Sequence, residues 1–213
     1  WNPYDQNASS PFFDPEWMFG IKEGFDVVIG NPPYIKEYTD RSAFEGTRNS
    51  AYYQGKMDLW YLFACTSIDL LNNFGHLCFI ATNNWISNAG ASKMRNKVIS
   101  DTKIVQLVDF GNFMIFESAS IQTMVMIFEK NKVDDNYKFD FRKLSGNTTK
   151  SDSIDLLLKR ENPKAIYLNP IINRNTCSDS LLTFNDNADD FILDKIKEKG
   201  NYILDQRNEI AQG

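Results

Sequence analysis

The chain reads as an α/β domain built on a mainly parallel sheet with an antiparallel edge, and three observations predict it. Short apolar runs alternate with segments of helical period in the order strand, helix, strand, helix, strand, the pattern of linked βαβ units. Two further runs then follow one another across a short connection with no helix between them. The 213 residues, 42% hydrophobic and 14% aromatic, suffice for one good-sized core.

The elements follow in order. Residues 1–24 are rich in Pro, Asn and aromatics, show no sustained period, and read as packed coil. Phe25–Gly30 (FDVVIG) is a β-branched apolar run stopped by Gly30 and the two prolines behind it, as a buried strand would be. Residues 57–73 carry apolar residues at helical spacing, and Leu59, Leu62, Phe63, Thr66 and Leu70 share one face. Asn73-Phe74-Gly75 supplies the stop. His76–Thr82 is the second strand, with His76 in a structural role. Ala89–Ile99 is an amphipathic helix with Lys93, Arg95 and Lys97 outward on a solvated face. Lys103–Phe110, Ile121–Glu129 and Lys138–Leu144 are the remaining strands. The last two are expected to form the antiparallel edge pair.

The texture changes after Leu144. Ser145–Asp152 is polar and turn-like, a helix is expected at Ile154–Lys159, extended pieces surround Pro163 and Pro170, and a second helix is expected at Ala188–Lys199. Residues 1–144 therefore read as one domain, 145–180 as a linker, and 181–213 as the start of something further.

Composition excludes several classes. Lys and Arg number 23 against 28 Asp and Glu, a net charge of −5 and an isoelectric point near 5.0. By bulk electrostatics this is not a stand-alone nucleic-acid binder. Three Cys and one His, without CxxC or HExxH, give no zinc pattern, and no metal site is expected. Cys65 and Cys78 lie in apolar runs, which suits a reducing, cytoplasmic compartment. No apolar run is long enough to span a bilayer, so no membrane partner is expected. The chain opens at Trp1 without a Met and reads as part of something longer.

The chemistry concentrates in Asn31-Pro32-Pro33-Tyr34, directly after the first strand. Two prolines fix φ and remove two N–H donors, so this backbone offers carbonyl acceptors with few competing donors. Asn31 adds a side-chain carbonyl and Tyr34 an aromatic face. Open α/β sheets bind ligands beyond the carboxyl ends of their strands. Such a site suits a planar group carrying an NH₂. The plainer alternative is a rigid strand-terminating turn.

FDVVIGNPPYI resembles the catalytic motif of amino-group methyltransferases that use S-adenosylmethionine. GKMDLWYLFACTSIDLLNNFGHLCFIATNNWI and IVQLVDFGNFMIFESASIQTMVMIF resemble the later blocks of N6-adenine DNA methyltransferases. The opening FFDPEWMFGIKEGFD and the closing NADDFILDKIKEKGNYILDQRNEIAQG resemble the fused type IIG restriction–modification enzymes, in which the closing block leads into a target-recognition domain. The resemblance implies a partial Rossmann-like methyltransferase fold and double-stranded DNA as the partner of the intact protein. It implies that Asn31 and Pro32 accept hydrogen bonds from the adenine 6-amino group. Pro33 completes the motif, and Tyr34 stacks on the base after it is flipped out of the duplex. Phe116 matches a second aromatic contacting the base, with core packing as the alternative.

One departure matters. No glycine-rich strand–turn–helix motif precedes residue 31, so the chain is expected to be the second half of a methyltransferase domain. Its main cofactor-binding residues would lie upstream of Trp1, and it would be inactive alone. A halved sheet would leave an edge and an apolar face open to self-association. The segment Lys36–Lys56 interleaves cations with aromatics and is either a loop closing over DNA or a solvated loop with aromatic anchors. Two competing functions keep the fold: methylation of a glutamine side chain, and a non-catalytic binding fragment.

Overall fold

The computed structural model describes residues 5, 12–116, 121–132, 134–146, 152–175 and 181–184, with scattered positions from 192 to 200. The described positions within the expected helix at 188–199, namely 192, 195, 196, 198 and 199, are helical, while most of the closing block falls outside the described residues.

Among the described residues the strands are β1 (Phe25–Gly30), β2 (Leu71–Thr82), β3 (Lys103–Asp109), β4 (Thr123–Glu129), β5 (Asn136–Lys138), β6 (Asp140–Leu144), β7 (Ala165–Leu168) and β8 (Ile171–Asn173). They are accompanied by the helices α1 (Pro15–Phe19), α2 (Trp60–Leu70), α3 (Ser92–Asp101) and α4 (Asp152–Leu158). The main sheet has the order β1-β2-β4-β3-β6-β7, and β5 pairs with β8 apart from it. β1, β2, β3 and β6 run one way, while β4 and β7 run against them.

The expected edge pair does not form. β4 lies between β2 and β3, antiparallel to both, and β6 runs parallel beside β3. The reason is in the side chains. Met124, Met126 and Phe128 on one face of β4 are fully buried, and Val125 packs on the other face. A strand apolar on both faces belongs in the middle of a sheet. β6 (DFRKL) buries only Phe141 and Leu144 and takes a peripheral place.

Period-two alternation sends each strand into two cores. Leu77, Phe79, Leu107, Met124 and Phe128 join Trp60, Ile68, Trp85, Met94 and Val98 of the helical layer. Ile80, Val108 and Val125 face the opposite side with Phe110, Leu144 and Leu157 of α4. That second layer does not extend over β1, where Val27 and Ile29 are 60% and 77% exposed.

Three local expectations change. Helix α2 stops at Leu70 and β2 starts at Leu71, before the expected His76. The pairing with β1 jumps from Phe25↔Leu71 to Val27↔His76, so residues 72–75 bulge out. Gly75 permits this, since a Cβ there would stand 2.7 Å from the Phe25 carbonyl oxygen. Second, the apolar face of α2 identified by spacing packs only in part, through Leu62 and Leu59. Trp60, Tyr61, Ala64, Cys65 and Ile68 are buried, whereas Phe63 is 46% exposed. Third, α3 does not present three cations to solvent. Arg95 is 2% exposed and donates to the carbonyls of Trp85 (2.7 Å) and Asn88. Lys97 bonds Asp69 (2.6 Å) and Asp101 (3.0 Å), and Lys93 bonds the carbonyls of Ala51 and Tyr53. Arg95 and Lys93 thus serve backbone carbonyls that no helix or strand satisfies, while Lys97 pairs with carboxylates.

Residues read as linker pack on the same body. β7 extends the main sheet, Ile172 is buried in the first core, and Arg174 donates to the carbonyls of Ile99, Thr102, Asn131 and Asp134. His76 meets Glu129 across the β2–β4 pair at 3.5 Å.

Candidate active site

The ends of β1 and β2, the start of β4 and the loop before α2 converge on one cavity of about 250 Å³. Tyr34, Lys36, Asp58, Thr82, Asn83 and Gln122 are among its lining residues. This is the carboxyl end of the parallel strands, where the sheet leaves a crevice.

The Asn31–Tyr34 loop enters from β1. Asn31 is exposed and Pro32 buried. The Tyr34 hydroxyl donates to Asn31 Oδ1 and lies 2.8 Å from the Ile80 carbonyl. Burial, and after it the negative charge of Asp58, push the Tyr34 phenol up to about 12, so it is a neutral donor at physiological pH.

Asparagines that the sequence reading left without a role supply the rest of the polar wall. Asn83 follows β2 and donates to Asp109 Oδ1 (3.1 Å) at the end of β3. The Trp60 indole donates to Thr82 Oγ1 (3.0 Å), which donates to Asn84 Oδ1 (2.9 Å). This chain ties the start of α2 to the end of β2 through buried groups. The sequence signal was available: two asparagines directly after an apolar strand need partners or a ligand.

Phe116 is half-buried on the loop between β3 and β4 and is not among the described residues lining the cavity; Ile121 and Gln122 represent that loop there. The Lys36–Lys56 segment is anchored. Phe44 is fully buried, Tyr53 and the Lys56 amide both donate to Glu37, and Gln54 bonds the Ala89 carbonyl at 2.7 Å. The Tyr53 hydrogen bond, above all other influences, holds the Glu37 carboxyl below the usual range. Gly90 seals the contact, because a Cβ there would come within 2.0 Å of the Lys56 carbonyl oxygen. Tyr38 remains 75% exposed at the rim.

On the outer face of α2, Phe13, Leu59, Leu62, Phe63, Thr66 and Leu70 line an apolar groove. Its lining suits a flat ring system and carries no charged side chain. It could form one wall of a nucleoside site, but it offers no carboxylate for ribose hydroxyls and no partner for an amino-acid headgroup. Among the described residues, no group of three His, Cys, Asp or Glu side chains could hold a metal ion, and no helix is long and apolar enough to cross a membrane.

The sheet and the Asn-Pro-Pro-Tyr loop at its carboxyl edge define a methyltransferase-type domain. Residues 3–116 match the model of the Eco57I restriction-modification methylase, and the chain belongs to that family. It is 28% identical over 130 residues to the type II restriction enzyme and methyltransferase RM.Eco57I of Escherichia coli, covering 56% of this chain and 13% of that protein. It is 28% identical over 120 residues to the type II methyltransferase M.HincII of Haemophilus influenzae, covering 54% of this chain and 24% of the relative. The chain thus spans a quarter or less of these two relatives. Among solved structures, the type I restriction-modification methyltransferase subunit of Streptococcus thermophilus superposes with a TM-score of 0.51 at 17% identity, covering 78% of this chain and 39% of that one. At that identity the likeness is one of fold.

Proposed function

We propose that this chain is the catalytic-loop half of a site-specific adenine methyltransferase within a restriction–modification enzyme. The reaction transfers a methyl group from S-adenosylmethionine to the 6-amino group of an adenine flipped out of double-stranded DNA. The observation that carries this reading is the seating of Asn31–Tyr34 at the end of β1, with Tyr34 lining a cavity whose wall includes the amide and hydroxyl side chains of Thr82, Asn83, Asn84 and Gln122 beside Lys36 and Asp58.

In this reading the Asn31 side-chain oxygen and the Pro32 carbonyl accept the two N–H bonds of the amine. That raises electron density on a nitrogen whose lone pair is otherwise delocalised into the ring. Tyr34 holds one face of the base, and Phe116 reaches it from the β3–β4 loop. The gain is positioning plus electrostatics. S-adenosylmethionine supplies an electrophilic methyl group. The groove beside Phe63 is the part of its site that these residues offer, and the remaining contacts belong to chain outside them. A cytoplasmic setting fits the free thiols Cys65 and Cys78.

The test is Asn31→Ala in the intact protein that carries this chain. Methyl transfer to DNA should fall on the order of 10²-fold or more, while S-adenosylmethionine binding stays near wild type. Near-wild-type turnover would remove the loop from the active site.

A further inference from the structure

A buried carboxylate stands in the wall of the cavity. Asp58, just before α2, is 2% exposed, and neither of its side-chain oxygens makes a hydrogen bond of good geometry, although the amides of Trp60, Leu59 and Ile35 lie close enough to favour its charge. Buried polar groups are nearly always paired, and a lone buried carboxylate opposes folding. Its position is what sets it apart. Asp58 lines the cavity that holds Tyr34, Asn83 and Gln122. It also lines a second cavity of about 80 Å³ with Tyr38, Lys56 and Asn88. Lys36 and Asn84 share this partition, since both line the two cavities. The second cavity can hold water, which needs only about 10–15 Å³ by a comparable measure.

We propose that Asp58 is the acceptor of the proton that methyl transfer releases. The proposal rests on the adenine reading above. The amine lone pair forms the new N–C bond while the C–S bond breaks and its electrons stay on sulfur, turning the sulfonium into a neutral thioether. The nitrogen then carries the methyl group, two hydrogens and the positive charge. One proton passes to an Asp58 oxygen and the N–H electrons return to nitrogen, leaving neutral methylated adenine. Water in the second cavity carries the proton out past Tyr38 and restores the carboxylate.

The surroundings suit this task. Burial raises the Asp58 carboxyl to about 6, offset in part by the Trp60 amide, the Lys36 ammonium and the amides of Leu59 and Ile35. Asp58 is therefore ionised at neutral pH and more basic than an exposed aspartate. The other ionisable groups facing it are Tyr34 from the loop after β1, Tyr61 of α2, and Tyr38 and Lys56 across the second cavity. The ends of β2 and β4 contribute Thr82, Asn83, Asn84, Ile121 and Gln122, none of which titrates.

The experiment is single-turnover methylation of target DNA by the intact protein from pH 5 to 9, with 2-aminopurine at the target position as a separate probe of base entry. The wild-type rate should decline as pH falls through about 6. Asp58→Asn should lose that acid limb and run roughly 10²-fold slower or worse, with the fluorescence rise intact. Asp58→Glu covers an unstable Asn variant: it retains an acid limb, displaced in pH. An Asn variant with the wild-type rate and limb overturns the proposal. So does one that loses fluorescence together with rate, because Asp58 then only shapes the cavity. A Glu variant with an unmoved limb also overturns it. A wild-type protein that flips the base yet leaves adenine unmethylated overturns the adenine reading, and this proposal with it.

Discussion

The hydroxyl of Tyr34 sits between two acceptors, the side-chain oxygen of Asn31 and the main-chain oxygen of Ile80 at 2.8 Å. One proton cannot fully serve both. The contact fixes the Asn31 amide with its oxygen toward the ring, and it places β2 behind the residue that would hold a base. An incoming amine would compete with this hydroxyl for Asn31.

Tyr34→Phe keeps the ring and removes the tether. A neutral hydrogen bond contributes about 1 kcal/mol net, so the methylation rate of the intact protein should fall about five- to tenfold. Tyr34→Ala removes the stacking face as well, which is worth roughly 1–3 kcal/mol per base, and should fall much further. Quenched-flow methylation of the two variants checks the order. Equal rates for Phe and Ala would mean that the ring touches no base.

Asp58 also makes stability depend on pH. Its folded-state value of about 6 lies above the ordinary 3.8. A raised carboxyl favours the folded state most below pH 3.8, and that contribution is lost as pH rises through 6. The difference amounts to roughly 3 kcal/mol. Urea denaturation should find Asp58→Asn more stable than wild type at pH 8, with the gap closing toward pH 4. A gap that widens on acidification would mean the carboxylate is paired.

Arg95→Met should be costly despite conserving much of the side chain's volume. It strips the donor from the Trp85 and Asn88 carbonyls inside the helical layer. Orphaned buried acceptors cost about 1–3 kcal/mol each. Chemical denaturation should register a loss of about 2–5 kcal/mol. A change within 0.5 kcal/mol, the usual range for surface substitutions, would return Arg95 to the solvated face.

The two faces of α2 give a fourth test. Ile68→Ala, on the buried face, should lose about 2–5 kcal/mol. Phe63→Ser, on the open groove, should change stability by less than about 1 kcal/mol. Equal losses would show that the groove is closed in solution.

Much of the fold was legible, and the misses share a physical cause. β1 and β3 stand within a residue of where apolar runs placed them, and α3 within three of where helical spacing placed it, because each buries a continuous local pattern. The orientation of α2 was not legible: both faces are apolar, and spacing cannot say which one meets the sheet. Arg95 misled because a cation at helical spacing looks solvated until the carbonyls it serves are known. The partner of β4 was hidden because pairing is non-local, although its two apolar faces already argued for a central position. The Asn31–Tyr34 loop stood out by its chemistry, and Tyr34 lines the cavity. The place of Asp58 in the same wall was not legible, since an aspartate ahead of an apolar helix reads as an ordinary helix start.

The placement of β4 between β2 and β3 has a consequence for synthesis on the ribosome. Strand β2 is finished at Thr82, yet its neighbour begins at Thr123. At translation rates of about 5–20 residues per second, the Leu77 and Phe79 edge waits roughly 2–8 seconds for its partner. Gln122 enters the cavity wall with the same strand. The nascent chain therefore joins β2 to β3 and gains the Gln122 wall of the cavity in a single late event, and a ribosome that stalls before residue 123 carries neither.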